Sequence, residues 1–151
     1  MAGMAIISAS LFQNCTNNQM DSRKACDDGD VKKCNAVGEM YLNGTGVEKD
    51  TKTAGKYFQK ACDGGDARGC FNLSEMYNKG SGVESDPKKA CELLHKACDG
   101  GFMQGCFVLG LNYSIGRGVE LDPKKAEELV QKACDSRELS EWCRKMRKSF
   151  H

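Results

Sequence analysis

Two histidines, two prolines and one tryptophan in 151 residues set the first limits on this chain. A zinc hydrolase draws much of its ligand set from imidazole, and His95 with the terminal His151 cannot furnish one. Aromatic residues make up only 7% of the chain while glycine reaches 17 residues, which argues against one large closed core. Charge is equally without excess: 22 basic side chains against 21 acidic ones leave +1, too weak a field to gather nucleic acid or an anionic membrane. No run reaches the roughly 18 apolar residues that a membrane span requires.

Cysteine is what the chain has in plenty, and its placement is periodic. At a spacing of 36 residues Cys26, Cys62, Cys98 and Cys134 fall in one column and Cys34, Cys70 and Cys106 in another, with Cys143 displaced by one position. Other columns keep the same period, among them Tyr41/Tyr77/Tyr113, Gly44/Gly80/Gly116, Gly46/Gly82/Gly118 and Val47/Val83/Val119. A repeat of this length is the mark of a stacked array, whose core is a thin strip between neighbouring units.

Eight of the ten cysteines thus form local pairs, 26/34, 62/70, 98/106 and 134/143. Pairing on this scale favours disulfides and an oxidising compartment. Zinc is the competing reading, though C-x7-C lacks the short knuckle that presents two thiolates to one metal. Cys15 and Cys91 are left over, about two repeats apart and too distant to bridge. Cys91 is read as a buried small residue, with a free thiol as the alternative.

Within each repeat the apolar spacing is helical: Cys70, Leu73, Met76 and Tyr77 on a first helix, then Ala90, Leu93, Leu94 and Ala97 on a second. Asp86-Pro87 and Asp122-Pro123 pair an N-cap acid with proline at the first helical position, where its missing N–H costs nothing. Gly38, Ser74 and Gly110 share a column in the first helices, where a small residue admits a close neighbour. The expected layout is a half repeat over 17–28, full repeats at about 30–63, 66–99 and 102–135, and a terminal helix over 138–150. Each C-x7-C would then staple one hairpin to the next.

These residues carry a family resemblance. Gly-x-Gly-Val-x-x-Asp-x-x-Lys-Ala followed by Lys-Ala-Cys, at Gly80–Cys98 and Gly116–Cys134, resembles the SEL-one-like repeat, a relative of the tetratricopeptide repeat. The 36-residue pitch and the paired cysteines are similar to the disulfide-rich branch typified by the Helicobacter cysteine-rich proteins. The resemblance implies a right-handed α-solenoid of stacked αα-hairpins with a concave groove, a secreted or periplasmic location, and a protein or peptide partner. Some members of that branch are described as penicillin-binding proteins with slow β-lactam hydrolysis, and a second branch serves respiratory-chain assembly in the mitochondrial intermembrane space. Thr51 in place of proline and the C-x8-C spacing of the last pair depart from the pattern.

Catalytic chemistry finds little footing. Ser85-Asp86-Pro87-Lys88 matches the Ser-x-x-Lys of serine β-lactamases by letter, but it falls at a helix start and no Ser-Asp-Asn or Lys-Thr-Gly accompanies it. Cys91 and His95, four residues apart on one helical face, are the one nucleophile–base pair that geometry permits. No catalytic residue, cofactor or metal is therefore assigned.

The binding reading places Asn35, Glu39, Asn72, Glu75, Asn78, Met103, Gln104 and Asn112 as exposed candidates on the concave face. An amide that both donates and accepts suits the backbone of an extended peptide. The chain is read as a monomer. Residues 1–16, apolar from Ala2 to Phe12, are read as a signal or leader segment without a basic start. A lipid anchor at Cys15 is the weaker reading, because Phe12-Gln13-Asn14 lacks the small residues such a site needs.

Overall fold

A computed structural model describes residues 17–149, with side chains placed to Met146. Eight helices follow one another: α1 (17–27), α2 (Val31–Asn43), α3 (Thr51–Asp63), α4 (Ala67–Lys79), α5 (Pro87–Asp99), α6 (Met103–Ile115), α7 (Pro123–Cys134) and α8 (Ser140–Ser149). Helices α2/α3, α4/α5 and α6/α7 pack as hairpins, and each hairpin meets the next through α3 on α4 and α5 on α6. The result is an all-α solenoid. The leader and lipid-anchor readings, Cys15 included, lie outside the described residues.

Local chemistry explains why each helix starts and stops where it does. The side chains of Asp50, Asp86 and Asp122 accept from the backbone N–H three residues on, at 3.0–3.1 Å, and so cap the second helices. First helices end on Gly44, Gly80 and Gly116 in the left-handed conformation, each returning its N–H to a carbonyl of the last turn. The next glycine but one serves a different purpose: a Cβ at Gly82 would stand 2.6 Å from the Thr51 carbonyl, so the loop lies directly on the preceding repeat.

The core is a succession of small clusters. Phe58, Leu73 and Met76 lie buried where α3 meets the second hairpin, and Cys91, Leu94 and Leu109 where α5 meets the third. A fully buried side chain of this size contributes about 1.5–3 kcal/mol. Val83 and Val119 are partly buried against these clusters. Gly38 and Gly110 let the second helix close in: a Cβ would come within 2.6 Å of the Phe58 ring and 2.8 Å of Val130.

Four disulfides, Cys26–Cys34, Cys62–Cys70, Cys98–Cys106 and Cys134–Cys143, bind the end of one hairpin to the start of the next, with Cα separations of 4.5–5.7 Å. Helix α8 begins at Ser140 rather than Glu138. In place of the Gly-Gly turn, Ser136 holds the connection, its Oγ donating to Ala133 O at 2.6 Å and accepting from Leu139 N at 3.3 Å.

Candidate functional site

The first helices stand side by side, and polar side chains cross between them. Asn72 on α4 donates through Nδ2 to Asn35 Oδ1 at 2.9 Å and to Glu39 Oε1 at 3.4 Å, both on α2. Asn35 donates to the same carboxylate oxygen at 3.1 Å, and Arg68 Nε lies 3.5 Å from it. Three of the residues named from the sequence are thus brought into one network. Arg68 was missed, although it occupies the column of Gln104 and the period could have found it.

Two corrections concern exposure. Asn35 and Asn112 were expected on the open surface, yet each is only 6% exposed. Asn35 is covered because α4 lies against α2 there and its amide is spent between helices. Asn112 occupies the core column of Met76 and donates through Nδ2 to Cys91 Sγ at 3.3 Å. The remaining candidates are half-buried. Glu75 pairs with Lys79 at 2.9 Å, Met103 packs on the Cys98–Cys106 cluster, and the side-chain oxygens of Asn78 and Gln104 are shut from solvent without a hydrogen-bond partner.

Farther along, this face turns apolar. Helix α6 carries no charged residue, and Leu111 and Ile115 stand 45% and 68% exposed one turn apart. Glu39 and Glu75 precede Leu111 in its column, and Asn43 and Lys79 precede Ile115. Beside them Trp142 of α8 meets Phe107 edge-on, with ring centroids 4.9 Å apart, and remains 42% exposed.

The nucleophile–base pair does not assemble. Cys91 Sγ donates to Arg117 O at 3.2 Å, and burial pushes its thiol above the usual range. The His95 ring instead meets Tyr113, with Nε2 3.1 Å from the hydroxyl, and burial foremost, then Lys125, lowers its pKa. The Ser85-x-x-Lys letters mark a helix cap, with Asp86 bonded to Lys89 N. Among the described residues no group of three or more His, Cys, Asp or Glu side chains is placed to hold a metal. None of their helices is long and apolar enough to cross a membrane.

Stacked helical hairpins, stapled at each joint and presenting a continuous first-helix face, define an α-solenoid of the type whose repeats mediate protein interactions. The Sel1 repeat family model matches residues 34–66, 67–102 and 104–137, and the chain belongs to that family. A Sel1 repeat protein from Oxalobacter formigenes is similar in structure, with TM-score 0.74 and 29% identity over 85% of this chain and 98% of that one. A protective antigen of uropathogenic Escherichia coli with an SLR fold shows TM-score 0.74 and 32% identity over 77% of this chain and 25% of its own. Helicobacter pylori cysteine rich protein B shows TM-score 0.66 and 26% identity over 86% and 95%. No curated protein sequence matches the chain.

Proposed function

We propose that the chain is a secreted or periplasmic interaction module that docks a polypeptide along its first-helix face. The observation that carries this reading is the change of character along that face. The Asn35 and Asn72 amides are spent in holding Glu39, whose carboxylate with the exposed Arg68 offers polar groups to a peptide, and Leu111, Ile115 and Trp142 offer an apolar seat beyond it. Exposed aromatic and aliphatic residues in one place mark binding surfaces more often than bare solvent. Four disulfides support an oxidising compartment. The β-lactam hydrolase reading gains no support from the placement of Cys91, His95 or Ser85.

The test is selection of peptides from a random library displayed on phage, followed by titration against two variants. Leu111→Asp should weaken the selected peptides at least tenfold, and Asn72→Ala, which removes the amide that holds the Glu39 carboxylate in place, about threefold to tenfold. Peptides that bind both variants as tightly as the parent would place docking elsewhere. For the compartment, thiol mapping of protein from its own host should find the four pairs oxidised.

A further inference from the structure

The three complete joints of the solenoid are built on one plan, which makes each a control for the others. At the first, Gln19 of α1 lies against Gly46 of the next loop, and Arg23 Nη1 reaches the Tyr41 hydroxyl at 3.3 Å. At the third, Cys91 takes the position of Gln19, and His95 takes that of Arg23 and meets the Tyr113 hydroxyl at 3.1 Å. In both, one side chain fills the space under the loop and a second closes it against the tyrosine.

The middle joint has neither. Gly55 stands in the column of Gln19 and Cys91, and Gln59, in the column of Arg23 and His95, lines the space but gives its amide to Asp63 Oδ1 at 2.8 Å instead of to the tyrosine. What remains is a hollow of about 530 Å³ between α3 and the second hairpin, floored by Leu73, Gly82 and Val83 and walled by Tyr77. Packing does not require this glycine. A Cβ at Gly55 would stand 3.4 Å from Met76 Cε, ordinary contact, whereas at the helical glycines Gly38, Gly69, Gly105 and Gly110 it would stand 2.6–2.9 Å from a neighbour. A glycine inside a helix is costly relative to alanine; here an alanine methyl would just reach contact with Met76 and Val83, and what the glycine omits is a longer side chain such as the Gln19 or Cys91 of the other joints.

The rim of the hollow has one sign. Lys52 and Lys56, one turn apart on α3, both line it, and no carboxylate does. Neither ammonium lies within ion-pair distance of a carboxylate among the described residues, with Lys56 acting at longer range on Asp50, the N-cap of the same helix. In the third joint the column of Lys56 holds Glu92, so the basic pair belongs to the open joint. The adjoining hollow beyond Tyr77 carries Glu84 and Asp86 and offers an anion nothing comparable.

We infer that this hollow is a binding site for a small organic carboxylate, its apolar body seated on Val83 and the Tyr77 ring and its charge held by Lys52 and Lys56. The site lies apart from the first-helix face, and the inference does not rest on the docking reading. Its volume is within the range of small-molecule sites, and a few polar groups over an apolar floor are what such sites use.

The experiment is titration of isotope-labelled full-length protein with sodium 4-phenylbutyrate at constant ionic strength, followed through backbone amide shifts. Saturable shifts at Gly55, Gly82 and Val83 are expected, with the uncharged 4-phenylbutanol binding about fivefold more weakly, the contribution of two solvent-exposed ion pairs. Lys52→Gln with Lys56→Gln should give the same fivefold loss, and both changes lie on the surface, where folding tolerates them. Gly55→Leu should remove binding; if that variant does not fold, Gly55→Ala, which has room, should weaken it. An absence of saturable shifts in the parent protein, equal affinity for acid and alcohol, or unchanged binding in the lysine variant would each overturn the inference.

Discussion

Single side chains in this molecule are judged by what their counterparts in other repeats do. Gly38 and Gly55 are both buried helical glycines, yet they predict opposite outcomes on replacement by alanine. At Gly38 the new Cβ would stand 2.6 Å from the ring of Phe58, itself fully buried, so Gly38→Ala should cost about 1–3 kcal/mol through overpacking. At Gly55 the methyl has room, and Gly55→Ala should gain up to about 1 kcal/mol from helix propensity. Urea midpoints at equal slope would read both signs. His95 adds a dependence on pH. Burial, then the Lys125 charge, holds its pKa in the folded state below the value in the unfolded chain. The neutral ring is therefore the folded form, and its contribution is complete above about pH 6.5 and is lost as pH falls through the lower, folded pKa. His95→Gln should flatten the decline in stability on that side of neutrality, and a variant with the same slope as the parent would refute the assignment.

Helices and the loops between them were the most legible part of the chain, because their signals are local. Asp followed by Pro at 86–87 and 122–123 marked the starts of α5 and α7, and both helices begin at the proline. The start of α8 was set two residues early, since the extra residue of the last cysteine pair lengthens a turn that has lost its glycines. Cross-hairpin contacts could not be read in the same way. Asn35 meets Asn72, 37 residues on, and His95 meets Tyr113, 18 residues on, and neither distance is the period. The period aligns equivalent positions, but which face of a helix is covered depends on the angle at which hairpins stack. For that reason Asn35 is enclosed although its sequence places it in the open, whereas Asn112 stands in the column of Met76, which the apolar spacing marks as core, and only the polarity of its side chain argues for the surface. The loop glycines provide the test at this level. Gly80→Ala puts a side chain at φ +64 with a nearest contact of 3.4 Å and should cost about 1–2 kcal/mol. Gly82→Ala meets the same conformational cost at φ +69 and also strikes the Thr51 carbonyl at 2.6 Å, so it should cost clearly more. Equal effects would mean that the loop does not bear on the preceding repeat.

Taken together, the hairpins form a one-dimensional stack in which each unit touches only its neighbours, and so damage should stay local. The bridges make that measurable. Each closes a short loop, and the chain-entropy model assigns a loop of this length about 2.5 kcal/mol before strain. Helix α8 is joined to the array by the Cys134–Cys143 disulfide, the Phe107–Trp142 ring contact and its packing on α7, and among the described residues no second helix is packed against its outer side. The middle joint, for all its hollow on one side, has a buried cluster around Phe58, Leu73 and Met76 besides its Cys62–Cys70 bond. Replacing Cys134 and Cys143 by serine should therefore release α8 alone: amide exchange over Ser140–Ser149 should rise to near the unfolded rate while α4 and α5 keep their protection. Replacing Cys62 and Cys70 should lower the unfolding midpoint without freeing either flanking helix, because α3 and α4 remain packed. If both double replacements depressed protection evenly along the chain, the array would be unfolding as one cooperative body, and the disulfides would be supporting the whole stack rather than its separate joints.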